Sequence, residues 1–355
     1  MRLVFTAAAV TTALAIPGLA GAGDPQLQFE IRPKVPVVID SGGRRDTLLA
    51  LDVHNPSDRP TRIEGLRLLY LEGTSVVKTV DDASALFVDA GLLSDPKIDA
   101  GEAQSWAGIC LAPPTAATDR VRFEMRLVQR RGLHAVRATQ ALDVPLAAPE
   151  VLPSILVPVR GAWRVTQGHA CGTSHRMSPL GSEFAWDLAA VDATSSRDVV
   201  APVAGRVAFA VGDVEDNAAG GEIRAKSYSS ALRHPLWFFG NYVVIDAGTS
   251  FVLLAHLRKG SLAVKAGDTV RAGDVVGYVG NSGNTSAPHL HVQVMNRADP
   301  SDPDVAGVPA RFRDYVEATA RVDGKERESV VRKVAAGDPP EGSVILSVAE
   351  AAPSR

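Results

Sequence analysis

The stretch VKAGDTVRAGDVVGYVGNSGNTSAPHLHVQV, residues 264–294, carries the clearest structural signal in the chain. Short apolar runs alternate there with Gly-Asp turn signals, a pattern that predicts a tight antiparallel meander of β-strands. The stretch ends in His289 and His291, which a single leucine separates. Because side chains alternate across a strand, we expect both imidazoles on one face of it. Two imidazoles on a rigid strand can supply one metal ligand and one proton-transfer group.

The overall composition is that of an ordinary globular protein. The chain has 355 residues, which predicts about two domains. Apolar residues make up 46% of it, enough to build hydrophobic cores. The net charge of −3 gives no basic field to hold nucleic acid, and aromatic residues, at 5%, are too sparse to predict base-stacking surfaces. We therefore expect no nucleic-acid partner.

The N-terminus has the form of an export signal. Arg2 is followed by an apolar stretch over residues 3–16, and Ala20-Gly21-Ala22 has the small-x-small form of a cleavage site. This pattern predicts a signal peptide at residues 1–22 and an exported protein, periplasmic or extracellular. An uncleaved membrane anchor is the alternative, but the apolar run is short, so we expect no stable membrane insertion.

Two cysteines, Cys110 and Cys171, occur in the chain. In an oxidising compartment they could form one disulfide, and the alternative is two separate buried thiols.

The remaining sequence predicts a mainly β protein. Residues 23–148 contain runs that alternate apolar and polar residues, such as 27–31 and 121–127, separated by turn clusters. This pattern is typical of an immunoglobulin-like β-sandwich module. An Ala/Pro-rich linker leads to a second β-rich domain at residues 149–315, in which residues 211–240 form a long polar loop. Residues 316–355 are expected to be a C-terminal tail.

Histidines are concentrated in the second domain. Six of the eight lie between residues 169 and 291. A hydrolytic zinc site needs three protein ligands and an open position for water, whose pKa the metal lowers to about 7. A neighbouring imidazole can then accept and deliver protons. The sequence offers candidates for each of these parts.

Three segments of the second domain carry a family resemblance. GNYVVIDAG (240–248), FVLLAHL (251–257) and the block at residues 264–294 resemble the lysostaphin/LytM-type zinc metallopeptidases, peptidase family M23. The resemblance covers roughly residues 160–315. It implies an antiparallel β-sheet peptidase domain, one Zn²⁺ ion, and hydrolysis of peptide bonds in peptidoglycan stems or cross-links. The implied partners are peptidoglycan peptides.

The resemblance also implies roles for individual residues. It makes His291 a zinc ligand, His289 the catalytic base, and His256, in the Ala-His-Leu segment, an assisting catalytic residue. The two other ligands in the family are usually a histidine and an aspartate four residues later. Asp187 matches that aspartate, but position 183 is Glu183.

Because position 183 is a glutamate and not the usual histidine, the identity of the third zinc ligand stays open. His175 is the nearest suitable imidazole, so we assign zinc to His175, Asp187 and His291. His169 and Glu183 remain alternatives to His175, because a carboxylate can also bind zinc.

Other functions also stay open at this point. The missing histidine favours a catalytically degenerate relative that binds cell wall or activates another hydrolase. A zinc peptidase of the D-alanyl-D-alanine type is a weaker alternative, because the Gly-Asp turns do not suit it. A lipoyl-type carrier domain shares the turns, but it has no use for a His-x-His pair.

Overall fold

The computed structural model describes residues 24–32, 36, 38–41, 44–83, 96–147, 152–169, 175, 180–192, 195–218, 235–302, 304–323 and 326–347. This part of the chain contains twenty-two strands and one short helix, so the predicted mainly β class is confirmed. The predicted signal peptide, and Cys171 of the predicted disulfide, lie outside these residues. No helix of the described ranges is both long and apolar enough to cross a bilayer.

The chain divides into two compact units, one comprising Met1–Ile39 and Arg45–Pro149 and the other Asp40–Arg44 and Glu150–Arg355. Two sheets make up the first unit, except that Asp40, Ser41 and Arg44 of their strands fall in the residue range of the second unit. One has the strand order β1-β3-β2 with β7 paired to β3, and the other has the order β5-β4-β8-β9 with β6 paired to β4. Their strands are β1 (Gln28–Arg32), β2 (Ile39–Ser41), β3 (Arg44–His54), β4 (Thr61–Glu72), β5 (Ser75–Val80), β6 (Lys97–Ile98), β7 (Ala103–Leu111), β8 (Arg120–Arg131) and β9 (His134–Pro145).

The alternating sequence of the first unit produces its core. In β8, the apolar side chains of Val121, Phe123 and Met125 are buried, and the residues between them are only partly covered. Residues of both sheets, among them Trp106 of β7 and Phe123 of β8, belong to one buried cluster. The predicted immunoglobulin-like topology stays a prediction.

The second unit is built on an eleven-stranded sheet with the order β10-β20-β22-β11-β12-β19-β16-β15-β14-β17, and β21 pairs with β20. A two-stranded sheet, β13-β18, accompanies it. Within the described part of this unit, the helix is α1 (Pro235–Phe239), and the strands are β10 (Ser154–Leu156), β11 (Ala162–Gln167), β12 (Trp186–Ala190), β13 (Asp198–Val200), β14 (Gly205–Val211), β15 (Asn241–Asp246), β16 (Phe251–Leu257), β17 (Thr269–Val270), β18 (Val275–Tyr278), β19 (Leu290–Met295), β20 (Arg311–Asp323), β21 (Glu326–Gly337) and β22 (Val344–Ser347).

The central strands of this sheet are covered on both faces. Strands β15, β16 and β19 read as nearly continuous apolar runs, and almost every residue in them is buried. Alternate side chains enter two different clusters: Val252 and Leu254 of β16 join the larger core, and Leu253 joins a smaller one that contains Phe239 of α1. The candidate site lies on the face of the smaller cluster.

The predicted local meander at residues 264–294 is not formed. Strand β17 pairs instead with β14, and β18 pairs with β13. Strand β19 lies between β12 and β16 and pairs with both. Strands of two and four residues make few hydrogen bonds with each other, so partners elsewhere in the unit determine their pairing.

The segment expected to be a C-terminal tail forms part of the sheet. It supplies most of β20, together with β21 and β22. Strand β22 lies between β11 and β20, and its Ile345 is fully buried in the larger core. A short apolar run that carries little information alone therefore becomes ordered through its two partner strands.

Candidate metal centre and catalytic histidines

Strand register brings two of the predicted ligands together. Asp187 on β12 pairs directly with His291 on the adjacent strand β19. Trp186 and Leu188 enter the larger core, as does Val292, so strand alternation directs Asp187 and His291 to the opposite face. There the Nδ1 atom of His291 lies 3.0 Å from Oδ1 of Asp187.

His175 completes a cluster of three buried ligand-type side chains. Its Nε2 atom lies 3.2 Å from Oδ2 of Asp187. The ligand atoms of His175, Asp187 and His291 all lie within 4.8 Å of one another. The exposed fractions of the three residues are only 6%, 5% and 1%. The structure thus brings together the three residues that the sequence proposed as zinc ligands.

Hydrogen bonds fix which ring nitrogens face the cluster. Gln293 accepts the Ser182 hydroxyl on Oε1 and donates its amide to the Leu180 carbonyl. Its Oε1 therefore faces Nε2 of His291, at 2.8 Å, and that nitrogen must donate. The unprotonated Nδ1 of His291 is left for the cluster, and a partner of this kind is what metal-ligating histidines ordinarily have.

The second ring is oriented in the same way. Nδ1 of His175 lies 3.3 Å from the Ala185 carbonyl oxygen, which can accept its N–H, and Nε2 faces the carboxylate. Gln167 donates its amide to Oδ2 of Asp187 at 3.0 Å. Two ring lone pairs and one carboxylate, all buried, form a donor set that fits Zn²⁺.

His289 is placed at the edge of the cluster as a proton acceptor. Its Nδ1 atom is 2.9 Å from the Ala287 carbonyl and 3.0 Å from the hydroxyl of Thr285. The carbonyl requires a donor, so the lone pair is on Nε2, which lies 3.5 Å from Oδ1 of Asp187. The side chain is 17% exposed, against 2% for His291. Its Nε2 can therefore take a proton from a group at the cluster.

A β-bulge aims His256 at the same site. Between the register pairs Val243–Leu254 and Asn241–Leu257, one residue of β15 faces two residues of β16. His256 has a φ of 60°, in the left-handed region that a residue other than glycine rarely adopts. Bulges re-aim side chains in this way next to active sites. The His256 ring lies 4.6 Å from the ring of His289, centroid to centroid.

His256 is held neutral in this position. Its Nδ1 is 2.8 Å from the Ser282 carbonyl and therefore donates to it. Burial first, and then the charges of His289 and His291, place the pKa of His256 well below its usual value. Its Nε2 is consequently a hydrogen-bond acceptor at neutral pH.

The other pKa shifts follow from burial and from the carboxylate. Burial alone would raise the pKa of Asp187, but the His175 and His289 charges lower it well below the usual range. Burial lowers the pKa of His291, and hydrogen bonding and attraction to Asp187 only partly offset this. For His289 the balance reverses: Asp187 overcomes the effect of burial, and the pKa is raised. The cluster therefore presents an ionised carboxylate beside the His291 ring, which burial keeps neutral, and this combination favours a bound cation.

The two alternative ligands lie outside this cluster. The His169 ring stacks on Trp186 at 3.9 Å between centroids, and its Nδ1 is 3.4 Å from Oδ2 of Asp338. Asp338 also accepts the Trp186 indole N–H at 2.8 Å. Glu183 accepts the backbone N–H of Gly307 at 2.8 Å.

Sequence reasoning missed Gln293 and Thr285, the hydrogen-bond partners of the two strand histidines. The signal for Gln293 was its spacing, two residues after His291 on the same face of a strand.

Comparison with known proteins identifies relatives of part of the second unit. The sequence profile described as peptidase family M23 matches residues 185–303. This range contains Asp187, His256, His289 and His291 but not His175, so the assignment of His175 depends on its position in the structure. A peptidoglycan DD-endopeptidase, ShyA of Vibrio cholerae serotype O1, is 36% identical over 95 residues, which are 27% of this chain and 21% of that protein.

Two further similarities are more distant. Endolysin 2638A of Staphylococcus phage 2638A is 29% identical over 124 residues, 33% of this chain and 24% of that protein. The chain thus spans less than a quarter of the length of these two relatives. The catalytic domain of lysostaphin from Staphylococcus simulans aligns with 23% identity over 40% of this chain and 85% of that domain, with a TM-score of 0.24, too low to carry an argument. Over residues 185–303, the chain therefore resembles peptidase family M23.

Proposed function

We propose that this chain is an exported zinc metalloendopeptidase that hydrolyses peptide bonds of peptidoglycan stems or cross-links. The observation that carries the proposal is the buried cluster of His175, Asp187 and His291, with Nε2 of His289 beside its carboxylate. A structural cluster without catalytic use would not need a fourth, more exposed imidazole with its lone pair aimed at the same point.

In this proposal, His175 and His291 hold Zn²⁺ through Nε2 and Nδ1, and Asp187 holds it through a carboxylate oxygen. When bound, zinc supplies a Lewis acid that polarises the scissile carbonyl and lowers the pKa of the attacking water. The buried rings keep their orientation because each donates its other N–H to a fixed oxygen. The ligands therefore need little rearrangement to bind the ion.

His289 is the proposed general base. Its Nδ1–H is held by the Ala287 carbonyl, so Nε2 is free to take the proton of the attacking water. The same atom can then deliver that proton to the leaving amine. His256 is the proposed assisting residue: its neutral ring offers Nε2 as an acceptor that can orient the water or the amine.

The proposed substrate and the proposed location are supported by different observations. The relatives named above are a peptidoglycan DD-endopeptidase and a phage endolysin, and both names indicate action on the cell wall. The sequence of residues 1–22 has the form of an export signal, which would deliver the enzyme to that substrate. An exported zinc-dependent peptidoglycan endopeptidase would account for all of these observations.

The direct test uses purified full-length protein, purified peptidoglycan, and mass spectrometry of the released fragments. We expect peptide fragments without added chelator, none with it, and recovery when zinc is restored. His291→Ala should lose zinc and activity together. His289→Ala should keep zinc and lose about 10²- to 10⁴-fold in rate, the usual contribution of general acid–base catalysis.

His134→Ala provides a matched control, because His134 is an exposed residue of the first unit. It should retain both zinc and activity. Zinc binding by His291→Ala with the wild-type affinity would overturn the ligand assignment. Bound zinc without any released peptide, in a protein that still binds peptidoglycan, would instead favour the degenerate, non-catalytic alternative.

A further inference from the structure

The two proposed catalytic histidines depend on one loop for their orientation. His256 donates its Nδ1–H to the Ser282 carbonyl, and His289 contacts the hydroxyl of Thr285. Both partners belong to the turn at residues 281–285, which precedes β19. A shift of this turn would therefore move the hydrogen-bond partners of both rings at once.

The buried side chain of Asn217 bonds to this turn at three points. Its Nδ2 atom lies 2.9 Å from the carbonyl oxygen of Asn281, 2.9 Å from that of Gly283 and 3.0 Å from that of Thr285. All three partners are carbonyl oxygens, which only accept, so the atom facing them must be the amide nitrogen. Asn217 is 7% exposed, and water has little access to replace it.

The backbone fixes this amide in the same place. Asn217 N–H donates to the Asn281 carbonyl at 2.8 Å, and the Asn281 side chain returns a bond of 3.2 Å to the Asn217 carbonyl. The neighbouring residues Asp216 and Ser282 form an antiparallel bridge. Gly283, with a φ of 84°, allows the turn to direct alternate carbonyls toward one point.

From this geometry we propose that Asn217 is a positioning residue for the peptidase reaction: it holds the turn at residues 281–285 so that His256 and His289 keep their catalytic orientation. The inference rests on the proposed function. The amide of Asn217 bonds to the turn that orients the two rings, so its effect should be on the rate of the reaction and not on metal binding.

Two substitutions test the proposal in the zinc-loaded, full-length protein. Asn217→Ala removes the donor, and Asn217→Asp is nearly isosteric but presents an oxygen to three carbonyl oxygens. We expect both to bind zinc with an affinity within about three-fold of wild type. Because a displacement of about 1 Å can reduce a rate about 100-fold, kcat should fall on that order, with KM little changed. Should Asn217→Asp fail to fold, Asn217→Ser keeps one donor and should give an intermediate kcat.

A second measurement does not depend on activity. Nuclear magnetic resonance of the zinc-loaded wild type should show hydrogen-bonded Nδ1–H signals from His256 and His289, and both should weaken or exchange rapidly in the Asn217 variants. If wild type cleaves no peptide, the proposed function fails, and these signals still decide whether Asn217 positions the rings. Unchanged signals and kcat in folded Asn217→Ala would overturn the inference.

Asn55 of the first unit offers a matched control. Its buried amide also donates to three carbonyl oxygens, those of Arg59, Ile98 and Asp99, at 2.7, 3.0 and 3.2 Å. Asn55→Ala should reduce thermal stability as much as Asn217→Ala and leave kcat and the imidazole signals unchanged. An equal loss of kcat in both variants would mean that Asn217 acts only through general stability.

Discussion

Gln293 should control the affinity of the proposed metal site without contacting the ion. In Gln293→Leu, three hydrogen bonds are lost: those with His291 Nε2, the Ser182 hydroxyl and the Leu180 carbonyl. With no acceptor at Nε2, the His291 ring can place its proton on Nδ1, the atom that faces Asp187. Outer partners of metal-ligating histidines are typically worth about 10- to 100-fold in affinity. We therefore expect zinc to bind about 10- to 100-fold more weakly, or about 1.4 to 2.8 kcal/mol.

The assay is competition for zinc with a chromogenic chelator, at a pH where His291 is neutral. Gln293→Glu is the informative companion variant, because it keeps an acceptor opposite His291 Nε2 while a charged oxygen replaces the donor to Leu180. Its zinc affinity should stay close to that of wild type. The ordering wild type, then Gln293→Glu, then Gln293→Leu is the expected result.

A loss of affinity could also arise from general destabilisation, and Gln129 controls for this. It is 3% exposed in the first unit, and its amide donates to the hydroxyls of Ser57 and Thr61 at 2.8 Å each. Gln129→Leu should lower the unfolding midpoint and leave zinc affinity unchanged. Wild-type zinc affinity in Gln293→Leu would refute the argument that the Gln293 oxygen fixes the His291 ring.

Three further predictions concern stability, each measured by urea unfolding. Gly283→Ala should lower the free energy of unfolding of the second unit by about 1–3 kcal/mol or more, because φ is 84° there and the new Cβ would lie 2.4 Å from a backbone nitrogen. Gly273→Ala is the control, with a φ of 93° and open space around the new Cβ, and it should lower that free energy by less. Asp338→Ala leaves a buried indole N–H unpaired and should cost about 1–3 kcal/mol. The hydrogen bond from Arg122 lowers the pKa of Asp143 in the folded protein. The stabilisation that the ionised Asp143 contributes is therefore complete above pH ~4, the unfolded-state pKa, and disappears as pH falls through the folded-state pKa. Between pH ~5 and ~2, the Asp143→Asn variant should thus lose less unfolding free energy than wild type.

The family resemblance predicted that Asp187 and His291 belong to the cluster, and strand pairing explains why they meet. Asp187 and His291 are 104 positions apart, and their strands are adjacent. Alternation along each strand determined which face they share, and alternation can be read from sequence. The third ligand could not be chosen this way, because His169, His175 and Glu183 all precede β12 and only tertiary contacts separate them. Glu183 accepts a backbone N–H, and the His169 ring stacks on Trp186 of the larger core, which leaves His175.

The pairing of the short strands and the final strands could not be read from the sequence. Strands β17 and β18 have two and four residues, too few for local pattern to determine a partner. The run at β22 is ordered because β11 and β20 flank it, and both are distant in sequence. In each case the partner strand, and not the sequence of the segment itself, determines the pairing.

His256 shows most clearly how a regular pattern can mislead. Strict alternation in β16 would place residue 256 with Val252 and Leu254 in the larger core, where an imidazole would lack a polar partner. The bulge opposite β15 adds one residue, and the left-handed φ of His256 returns Leu257 to that core and turns the imidazole toward His289. Such a backbone conformation costs about 1–3 kcal/mol, so the surrounding contacts must compensate for it. The Ser282 carbonyl supplies one of those contacts, and the turn that carries Ser282 is the turn held by Asn217. The strain at His256 and the buried amide of Asn217 are therefore two parts of one arrangement that orients the imidazoles of His256 and His289.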